Sequence, residues 1–355
     1  METKPRIIAF YLPQYHVIPE NDSWWGKGFT EWTNVKKTNP LFEGHAQPKV
    51  PLNDNYYSLD TTQEMVKQAK LAKEYGIDGF CYYHYWFNGK KLLDKPLDNM
   101  LSDKNVAIDF CMSWANEPWT RAWDGGEKEV LMAQKYGSEL DWESHLSYLI
   151  PFFEDERYIK INGSPVFVIY RTESFSKFDK MIQFWNEKLE SKGMNPLFIV
   201  ETLTYFQKTD RCKLSKGVLE FEPMLTIGHS KGFFSRLLTY SKRRILDKGV
   251  YKIDYSKIWE KIINRKPQNY NGKMLFKGAF VDWDNTARKR EKGLVLKNSS
   301  PALFKKYFGK LYAADKSHLI FINAWNEWAE GCYLEPDKKN GFAYLDAIKS
   351  ISSKK

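Results

Sequence analysis

Eight short apolar runs recur along the chain, and their β-branched and aromatic content predicts eight β-strands. Several runs are almost continuously apolar, which is typical of parallel strands that are covered on both faces. The predicted strands comprise residues 7–11, 79–85, 107–114, 166–170, 197–202, 217–221, 278–283 and 319–324.

Amphipathic stretches between these runs predict helices. Residues 61–75 place apolar side chains on one side, and Gly76 follows directly as a helix stop. Residues 177–191 and 300–313 have the same pattern. Eight strands that alternate with helices predict an α/β fold, a single (β/α)8 TIM barrel. A doubly wound open sheet is the alternative, but no glycine-rich dinucleotide-binding turn follows the first strand.

The regular spacing of strands and helices breaks in two places. Residues 226–277, which include a predicted helix at 254–263, are interpreted as an enlarged βα-loop, and residues 23–57 as a second long loop. Loops of this length in a compact domain are usually functional or mobile. Because the sequence has neither an internal repeat nor a low-complexity linker, we expect residues 1–355 to form one catalytic domain.

Polar and aromatic residues gather where the predicted strands end. In a TIM barrel the active site lies at the C-terminal ends of the strands, so these residues are the candidates for binding a substrate. They are Tyr11, His16, Tyr83, His84, Trp86, Trp114, Asn116, Glu117, Asp282, Trp283, Trp325 and Asn326. Together with Glu327 and Glu330 they would give a mouth with carboxylates, histidine and aromatic rings, which suits cleavage of a glycosidic bond.

The carboxyl pair Glu327 and Glu330 is the main catalytic candidate. On a helical turn, side chains three positions apart lie on the same face. Two close carboxylates repel each other, so one keeps its proton and the pair supplies both an acid and a base. Two glutamates on a solvated helix face are the alternative, but the position after the last strand, next to Trp325 and Trp328, favours chemistry.

Other candidate residues have two interpretations each. Glu117 is suited to contact a substrate or to pair with an arginine such as Arg121. His84 is suited to the cleft or to a hydrogen-bonded place in the core. Asp282 and Asp284 alternate along a strand end, so they share a face and Trp283 takes the other.

The composition adds two points. Aromatic residues make up 16% of the chain, with 13 Trp and 21 Tyr, and such rings serve either as core or as platforms for sugars. The formal net charge is +10, and the densest basic clusters lie at residues 242–244 and 288–290. Because the charge is spread mostly over lysines, we interpret it as a solvated surface and expect no nucleic acid partner.

Several other chemistries lack their sequence motifs. The chain contains no His-Glu-x-x-His, no paired Cys-x-x-Cys, no phosphate-binding P-loop and no Gly-x-Ser-x-Gly elbow, so we expect neither a metal nor a cofactor. The four cysteines show no paired spacing, which predicts reduced thiols. No apolar leader and no run of about 18 apolar residues is present, so we expect a cytoplasmic protein without a transmembrane segment.

Seven segments together resemble the WbsX-type family of surface-polysaccharide proteins, which is related to glycoside hydrolase family 99. The resemblance extends from about residue 6 to about residue 337 and is weak in residues 226–277. The segments are residues 10–16, 24–35, 75–80, 82–87, 114–117, 282–288 and 323–331.

The resemblance implies a (β/α)8 fold and a retaining reaction on a glycan. It implies that Glu327 removes the proton of the substrate's own 2-hydroxyl, giving a 1,2-anhydro sugar, and that Glu330 is the acid and then the base for water. Tyr11, His84 and Glu117 would bind the sugar. The expected partner is an oligosaccharide or polysaccharide, lipid-linked forms included, in surface-polysaccharide synthesis or editing. A true glycosyltransferase and a non-catalytic glycan-binding barrel are the alternatives.

Overall fold

The computed structural model describes residues 4–121, 126–205, 207, 209–229, 250–266 and 268–353, and eight parallel strands in it form a closed barrel. Each strand pairs with the next along the chain, and β1 closes the barrel by pairing with both β2 and β8. The strands are β1 (Arg6–Tyr11), β2 (Gly79–Phe87), β3 (Asp109–Trp114), β4 (Ser164–Ile169), β5 (Phe198–Leu203), β6 (Gly217–Glu220), β7 (Met274–Phe280) and β8 (Leu319–Asn323). The predicted TIM barrel is confirmed, and the open sheet is excluded.

Helices surround the barrel, and the three predicted between the strands are present as α3 (Gln63–Glu74), α6 (Phe178–Ser191) and α10 (Pro301–Ala314). Helix α10 shows how the sequence starts them: the Ser300 side chain accepts a hydrogen bond from the Leu303 N–H, and Pro301 occupies the first turn. The described helices are α1 (Pro19–Trp25), α2 (Glu31–Lys36), α3 (Gln63–Glu74), α4 (Lys95–Ser102), α5 (Glu139–Glu154), α6 (Phe178–Ser191), α7 (Met224–His229), α8 (Tyr255–Ile263), α9 (Thr286–Lys289), α10 (Pro301–Ala314) and α11 (Ala343–Ser352).

Short strands and 3₁₀ turns build the loops. The short strands are Lys90–Leu92, Trp119–Arg121, Gly126–Met132, Lys160–Ile161, Tyr251–Asp254, Leu294–Lys297, Asn326–Glu327 and Cys332–Tyr333. The 3₁₀ turns are Leu52–Asp54, Thr172–Ser174, Arg290–Lys292 and Trp328–Glu330.

The long insertion at residues 226–277 is described in part. Residues 230–249, which carry the basic cluster at 242–244, lie outside the described residues. Strand Tyr251–Asp254 pairs with Leu294–Lys297, and the predicted helix 254–263 is confirmed as α8. The Asp254 side chain accepts a hydrogen bond from the Lys257 N–H and caps that helix.

Side chains alternate between the barrel interior and the layer under the helices. From β1, Phe10 packs inside against Tyr83 and Phe321, with ring centroids 5.4 and 5.8 Å away. The next residue, Tyr11, points to the helical layer and donates a hydrogen bond to Gln68 of α3. This period of two decides which residues of each strand reach the mouth of the barrel.

Candidate active site

A cleft of about 330 Å³ lies at the C-terminal ends of the barrel strands. Its walls are mainly aromatic, and its floor carries Glu327, Glu330 and Arg288. The aromatic rings are those of Trp25, Tyr83, Tyr85, Trp119, Tyr170, Tyr205, Phe221 and Trp283. A concave site with aromatic walls and a few convergent charged groups has the form of a binding site for a small polar ligand.

The two glutamates of the floor lie on a tight turn after β8. Glu327 ends the two-residue strand Asn326–Glu327, and Glu330 ends the 3₁₀ turn Trp328–Glu330. Both carboxyls line the cleft. In place of the helical turn expected from the spacing, the chain forms a 3₁₀ turn that Glu327 precedes with non-helical backbone angles (φ −81°, ψ 67°).

Gly331 is required where this turn ends. Its φ of +61° lies in the left-handed region, and a Cβ there would lie 2.9 Å from the Cβ of Asp284. The Asp284 N–H also donates to the Glu330 carbonyl at 2.7 Å. The segment after β7 therefore supports the turn from one side.

One guanidinium joins the carboxyls of the floor. Arg288 Nη1 donates to Glu330 Oε1 at 2.6 Å, and Nη2 donates to Glu327 Oε2 at 3.0 Å. Nη2 also donates to Glu31 Oε1 at 2.7 Å. Sequence reasoning did not choose Arg288 or Glu31, although each lies in a segment that carries the family resemblance. Both residues are visible in motif segments of the sequence, but a charged residue does not by itself reveal the distant residue with which it pairs.

Burial and mutual repulsion keep a proton on this group. Burial raises the pKa of Glu327 to about 8; Arg288 opposes the rise, and the charges of Glu330 and Glu31 add to it. Burial also raises the pKa of Glu330, again against Arg288. Because the two carboxyls interact, the proton belongs to the pair as a whole. Burial thus raises the pKa of both carboxyls, which is the electrostatic condition under which a close pair can keep one proton near neutral pH.

Three of the predicted substrate-binding residues line the cleft: Tyr83, Glu117 and Trp283. Glu117 lies 3.4 Å from Arg171, whereas Arg121 pairs with Glu129, so the suggested partner Arg121 is wrong. Burial raises the pKa of the Glu117 carboxyl, and Arg171 opposes the rise.

Four other predicted residues point away from the cleft: Tyr11, His84, Trp86 and Trp114. His84 Nε2 lies 2.8 Å from Nε2 of His145 on α5, and burial lowers the pKa of His84 to about 3. Trp86 and Trp114 both pack against the His145 ring, at 4.5 and 4.7 Å. In β2 the alternation sends Tyr83 and Tyr85 inward and His84 and Trp86 outward. His84 thus occupies the hydrogen-bonded core position that was its alternative.

Two predicted asparagines hold backbone instead of facing the cleft. Asn326 Oδ1 accepts from the Leu12 N–H at 2.7 Å, and its Nδ2 donates to the Leu12 carbonyl at 3.0 Å. Asn116 makes the same pair of bonds to Arg171, at 2.8 and 2.7 Å. Each amide mimics a residue of a neighbouring strand and extends the barrel pairing beyond the strand ends.

The remaining predicted residues, His16, Asp282 and Trp325, also lie outside the cleft lining. His16 Nδ1 donates to the Pro13 carbonyl at 3.0 Å, and burial lowers its pKa. Asp282 lies 3.6 Å from Lys49, and Trp325 is fully buried against Phe80. These side chains support the loops around the mouth.

The carboxylates of β5 and of the C-terminal end of β6 serve the framework. Glu201 pairs with Lys273 at 3.1 Å, while Glu220 and Glu222 share Arg265 at 3.0 and 2.5 Å. All three are buried, and each buried charge has a cationic partner.

Three further observations concern the described residues as a set. Among them no group of three or more His, Cys, Asp or Glu is arranged to hold a metal ion. Within the same ranges, no helix combines the length and apolar character that crossing a bilayer requires. All four cysteines are buried and outside any disulfide, as predicted from their spacing.

Two solved structures share this fold. A glycoside hydrolase-like protein aligns with a TM-score of 0.60 at 12% identity, over 98% of this chain and 94% of that chain. A GH99 endo-α-mannosidase from Bacteroides thetaiotaomicron, in complex with Bis-Tris propane, aligns with a TM-score of 0.56 at 12% identity, over 98% and 95%. At this identity the likeness concerns the fold alone.

Two sequence relatives and one family model identify the family of this chain. The protein WxcX from two strains of Xanthomonas campestris pv. campestris is 35% identical over 355 residues, which covers 98% of this chain and 50% of WxcX. The chain thus spans about half the length of the curated relatives it matches. Residues 7–348 match the family described as Glycosyltransferase WbsX. The resemblance drawn from the sequence motifs is confirmed, and the chain belongs to the WbsX glycosyltransferase family.

Proposed function

We propose that this chain is a glycan-acting enzyme that breaks a glycosidic bond in the cleft, with Glu327 and Glu330 as the catalytic carboxyls. One observation carries the proposal: the two carboxyls share a single guanidinium on the floor of an aromatic cleft, where burial raises the pKa of both. An acid and a base from one residue type are what glycoside cleavage requires.

The proposed reaction has two steps with net retention. The reactive form of the pair carries its shared proton on Glu330. In the first step, the Glu327 carboxylate takes the proton of the substrate's 2-hydroxyl, O2 attacks C1, and the Glu330 carboxylic acid protonates the leaving oxygen as the C1–O bond breaks. In the second step, the Glu330 carboxylate takes a proton from water, the water oxygen attacks C1 as the C1–O2 bond breaks, and Glu327 returns its proton to O2. Each carboxyl ends in its starting state.

The aromatic walls fit a sugar chain. Trp119, Tyr83 and Trp283 offer flat apolar faces to the C–H faces of sugar rings. Burial and the nearby charge of Glu327 raise the pKa of Tyr83 and Tyr85, so both phenols stay neutral and can donate to sugar oxygens. We propose an oligosaccharide or polysaccharide as substrate, lipid-linked forms included, in the synthesis or editing of a surface polysaccharide. The named GH99 neighbour makes α-mannosides the first class to test.

Transfer is the second candidate, because the family is described as a glycosyltransferase. A sugar hydroxyl would replace water in the second step, and the same two carboxyls would act. A nucleotide-sugar donor would also need cationic groups for its diphosphate. Among the described residues that line the cleft the cations are Arg288 and Lys289, and Arg288 already serves three carboxylates. We therefore favour a glycan donor, and calorimetric titration with nucleotide sugars tests this choice, because a glycan-donor enzyme should not bind them.

The Glu330→Gln variant tests the proposal. On natural oligosaccharides we expect a loss of about 10²–10⁴-fold in kcat, because the leaving oxygen is no longer protonated. On an aryl glycoside with an activated leaving group, which needs no acid, the loss in the first step should be much smaller. Glu327→Gln should lose activity on both substrates.

The control is Glu291→Gln, which alters an exposed glutamate of a neighbouring turn and should keep full activity. A substrate that lacks the 2-hydroxyl should be inert if the 1,2-anhydro route is used. An active Glu330→Gln enzyme on natural substrates would falsify the proposed roles. Glycan binding without any product across a panel of α-mannosides would favour a non-catalytic barrel instead.

A further inference from the structure

We infer that Glu31 is a positioning residue, which together with Arg288 forms a buried charge clamp that fixes the catalytic carboxyls and balances their charge. The inference rests on the proposed function of Glu327 and Glu330. It assigns a role to the long segment after β1, which carries sequence motifs but contributes no proposed catalytic group.

Glu31 ties three separate segments together. It is the first residue of α2, and its N–H donates to the Gln14 carbonyl at 3.0 Å. Its Oε1 accepts from Arg288 Nη2 at 2.7 Å and from the Ala329 N–H at 3.2 Å. Ala329 lies between the two catalytic glutamates, so Glu31 contacts both the turn that carries them and the arginine that joins them.

Glu31 acts through Arg288 and not on a substrate. Its side chain has no exposed surface, and it is not part of the cleft lining, whereas Arg288 lines the cleft. An arginine has two donor-bearing ends in a fixed plane, so a carboxylate held at one end orients the other. With Glu31 in place, Nη1 is directed to Glu330 and Nη2 to Glu327.

The clamp also determines the charge of the catalytic pair. Three carboxylates share one guanidinium, so full ionisation of all three would leave uncompensated negative charge in a buried site. The charge of Glu31 thus favours a protonated pair, and the charge of Arg288 favours an ionised pair. Among the described residues, the other titratable groups that interact with the pair are Lys289, Glu117, Tyr15, Tyr83, Tyr85, Tyr170 and Cys332.

Neutralising Glu31 and neutralising Arg288 should therefore shift the pKa of the carboxyl pair in opposite directions. In Glu31→Gln the acid should lose its proton at lower pH, so the alkaline limb of kcat/KM moves down by about one pH unit. In Arg288→Gln the alkaline limb should move to higher pH by about one unit. In both variants kcat should fall at least tenfold with a smaller change in KM, because the carboxyls are misplaced only at the reacting centre.

The same shifts are measurable without turnover. A carbon-13 NMR titration of glutamate carboxyls, assigned with Glu327→Gln and Glu330→Gln, reports the protonation of the pair in the substrate-free protein. If wild-type protein has no activity on any glycan but the titrations still move in opposite directions, the proposed function fails and the clamp stands. The matched control is Glu190→Gln, an exposed glutamate of α6, which should leave both readouts unchanged.

Arg288→Lys separates charge from geometry if Glu31→Gln does not fold. Lysine keeps the positive charge but cannot hold the carboxylates through a planar fork. The alkaline limb should then stay within a few tenths of a pH unit of wild type while kcat falls. Shifts of Glu31→Gln and Arg288→Gln in the same direction, or a kcat of Arg288→Lys equal to wild type, would overturn the inference.

Discussion

At the scale of single residues, the carboxyl pair is costly to the fold. The side chain of Glu327 is only 7% exposed, and burial alone would drive it to the neutral form. Arg288 offsets part of this cost by donating to both carboxyls. Active sites commonly keep such destabilising groups because the chemistry needs them.

Glu327→Gln should therefore stabilise the protein at alkaline pH. The folded pKa of Glu327 is about 8 and its ordinary value is 4.5, so the folded state holds a proton that the unfolded state has lost between these values. Wild-type stability should fall as pH rises through that window, and glutamine removes this dependence. We expect Glu327→Gln to gain about 1–2 kcal/mol relative to wild type between pH 5 and pH 8.

Urea unfolding at pH 5, 6.5 and 8 measures this gain. Glu291→Gln should show no pH-dependent difference from wild type, because Glu291 is exposed. A stability difference between Glu327→Gln and wild type that stays constant with pH would contradict the buried, protonated state of the pair.

At the scale of elements, one arginine from outside α4 binds carbonyls at the C-terminal end of that helix. The guanidinium of Arg157 donates to the carbonyls of Met100 and Leu101 in α4, and to Val106 beyond it. The Asp155 carboxylate holds it through Nη2 at 2.7 Å. The last carbonyls of a helix have no partner within the helix, so this contact fixes where α4 stops.

Arg157→Ala should be among the most destabilising changes outside the cleft. It leaves the buried Asp155 without its main partner and the carbonyls of α4 without donors, and we expect a loss of about 3–5 kcal/mol. Thermal melting measures it, with Lys160→Ala, an exposed residue three positions later, as control. A loss below about 1 kcal/mol would mean that Lys104, 2.6 Å from Asp155, suffices as partner.

The same ion pair gives a pH dependence of known sign. Burial alone would raise the pKa of Asp155, but the bonds from Arg157 and Lys104 outweigh it and hold the pKa below its ordinary value. Asp155 therefore stabilises the fold at and above the unfolded pKa, and this contribution is lost as pH falls below it. The wild-type protein should therefore lose its stability advantage over Arg157→Ala as the pH falls from 5 to 2.

The sequence predicts the elements better than it predicts their faces. Continuous apolar strands and amphipathic helices determine the barrel, because parallel strands and covering helices have those patterns wherever they occur. A strand that is buried on both faces, such as β2, does not reveal which of its side chains face the barrel interior. His84 and Trp86 were therefore expected in the cleft, although they lie under α5. Arg288 was missed for another reason, because its partners lie far away in sequence.

At the scale of the whole molecule, the barrel closes between β1 and β8. Four residue pairs form this seam, from Arg6 with Leu319 to Ala9 with Ile322. The Asn326 amide continues it through two bonds to the Leu12 backbone. The turn that carries Glu327 and Glu330 follows Asn326 directly, so closure of the barrel and placement of these carboxyls depend on the same residue.

Asn326→Ala should therefore reduce both stability and activity. The Leu12 N–H and carbonyl lose buried partners, which costs about 2–3 kcal/mol, and the turn is released from β1. Asn116→Ala is the matched control, since Asn116 makes the same two bonds between β3 and β4. Both variants should lose similar stability in urea unfolding, but only Asn326→Ala should lose kcat at least tenfold. Equal kcat values in the two variants would show that the seam does not position the pair.

Closure at this seam also means that the cluster of Glu31, Arg288, Glu327 and Glu330 can assemble only late in synthesis. Glu31 and Ala329 are 298 positions apart, so the ribosome releases the clamp's first member long before the turn it must hold. A polypeptide whose strands have not yet closed into the barrel cannot hold Glu327, Glu330 and Arg288 together. Under the proposed function, we therefore expect activity to arise only once the ring of strands is complete.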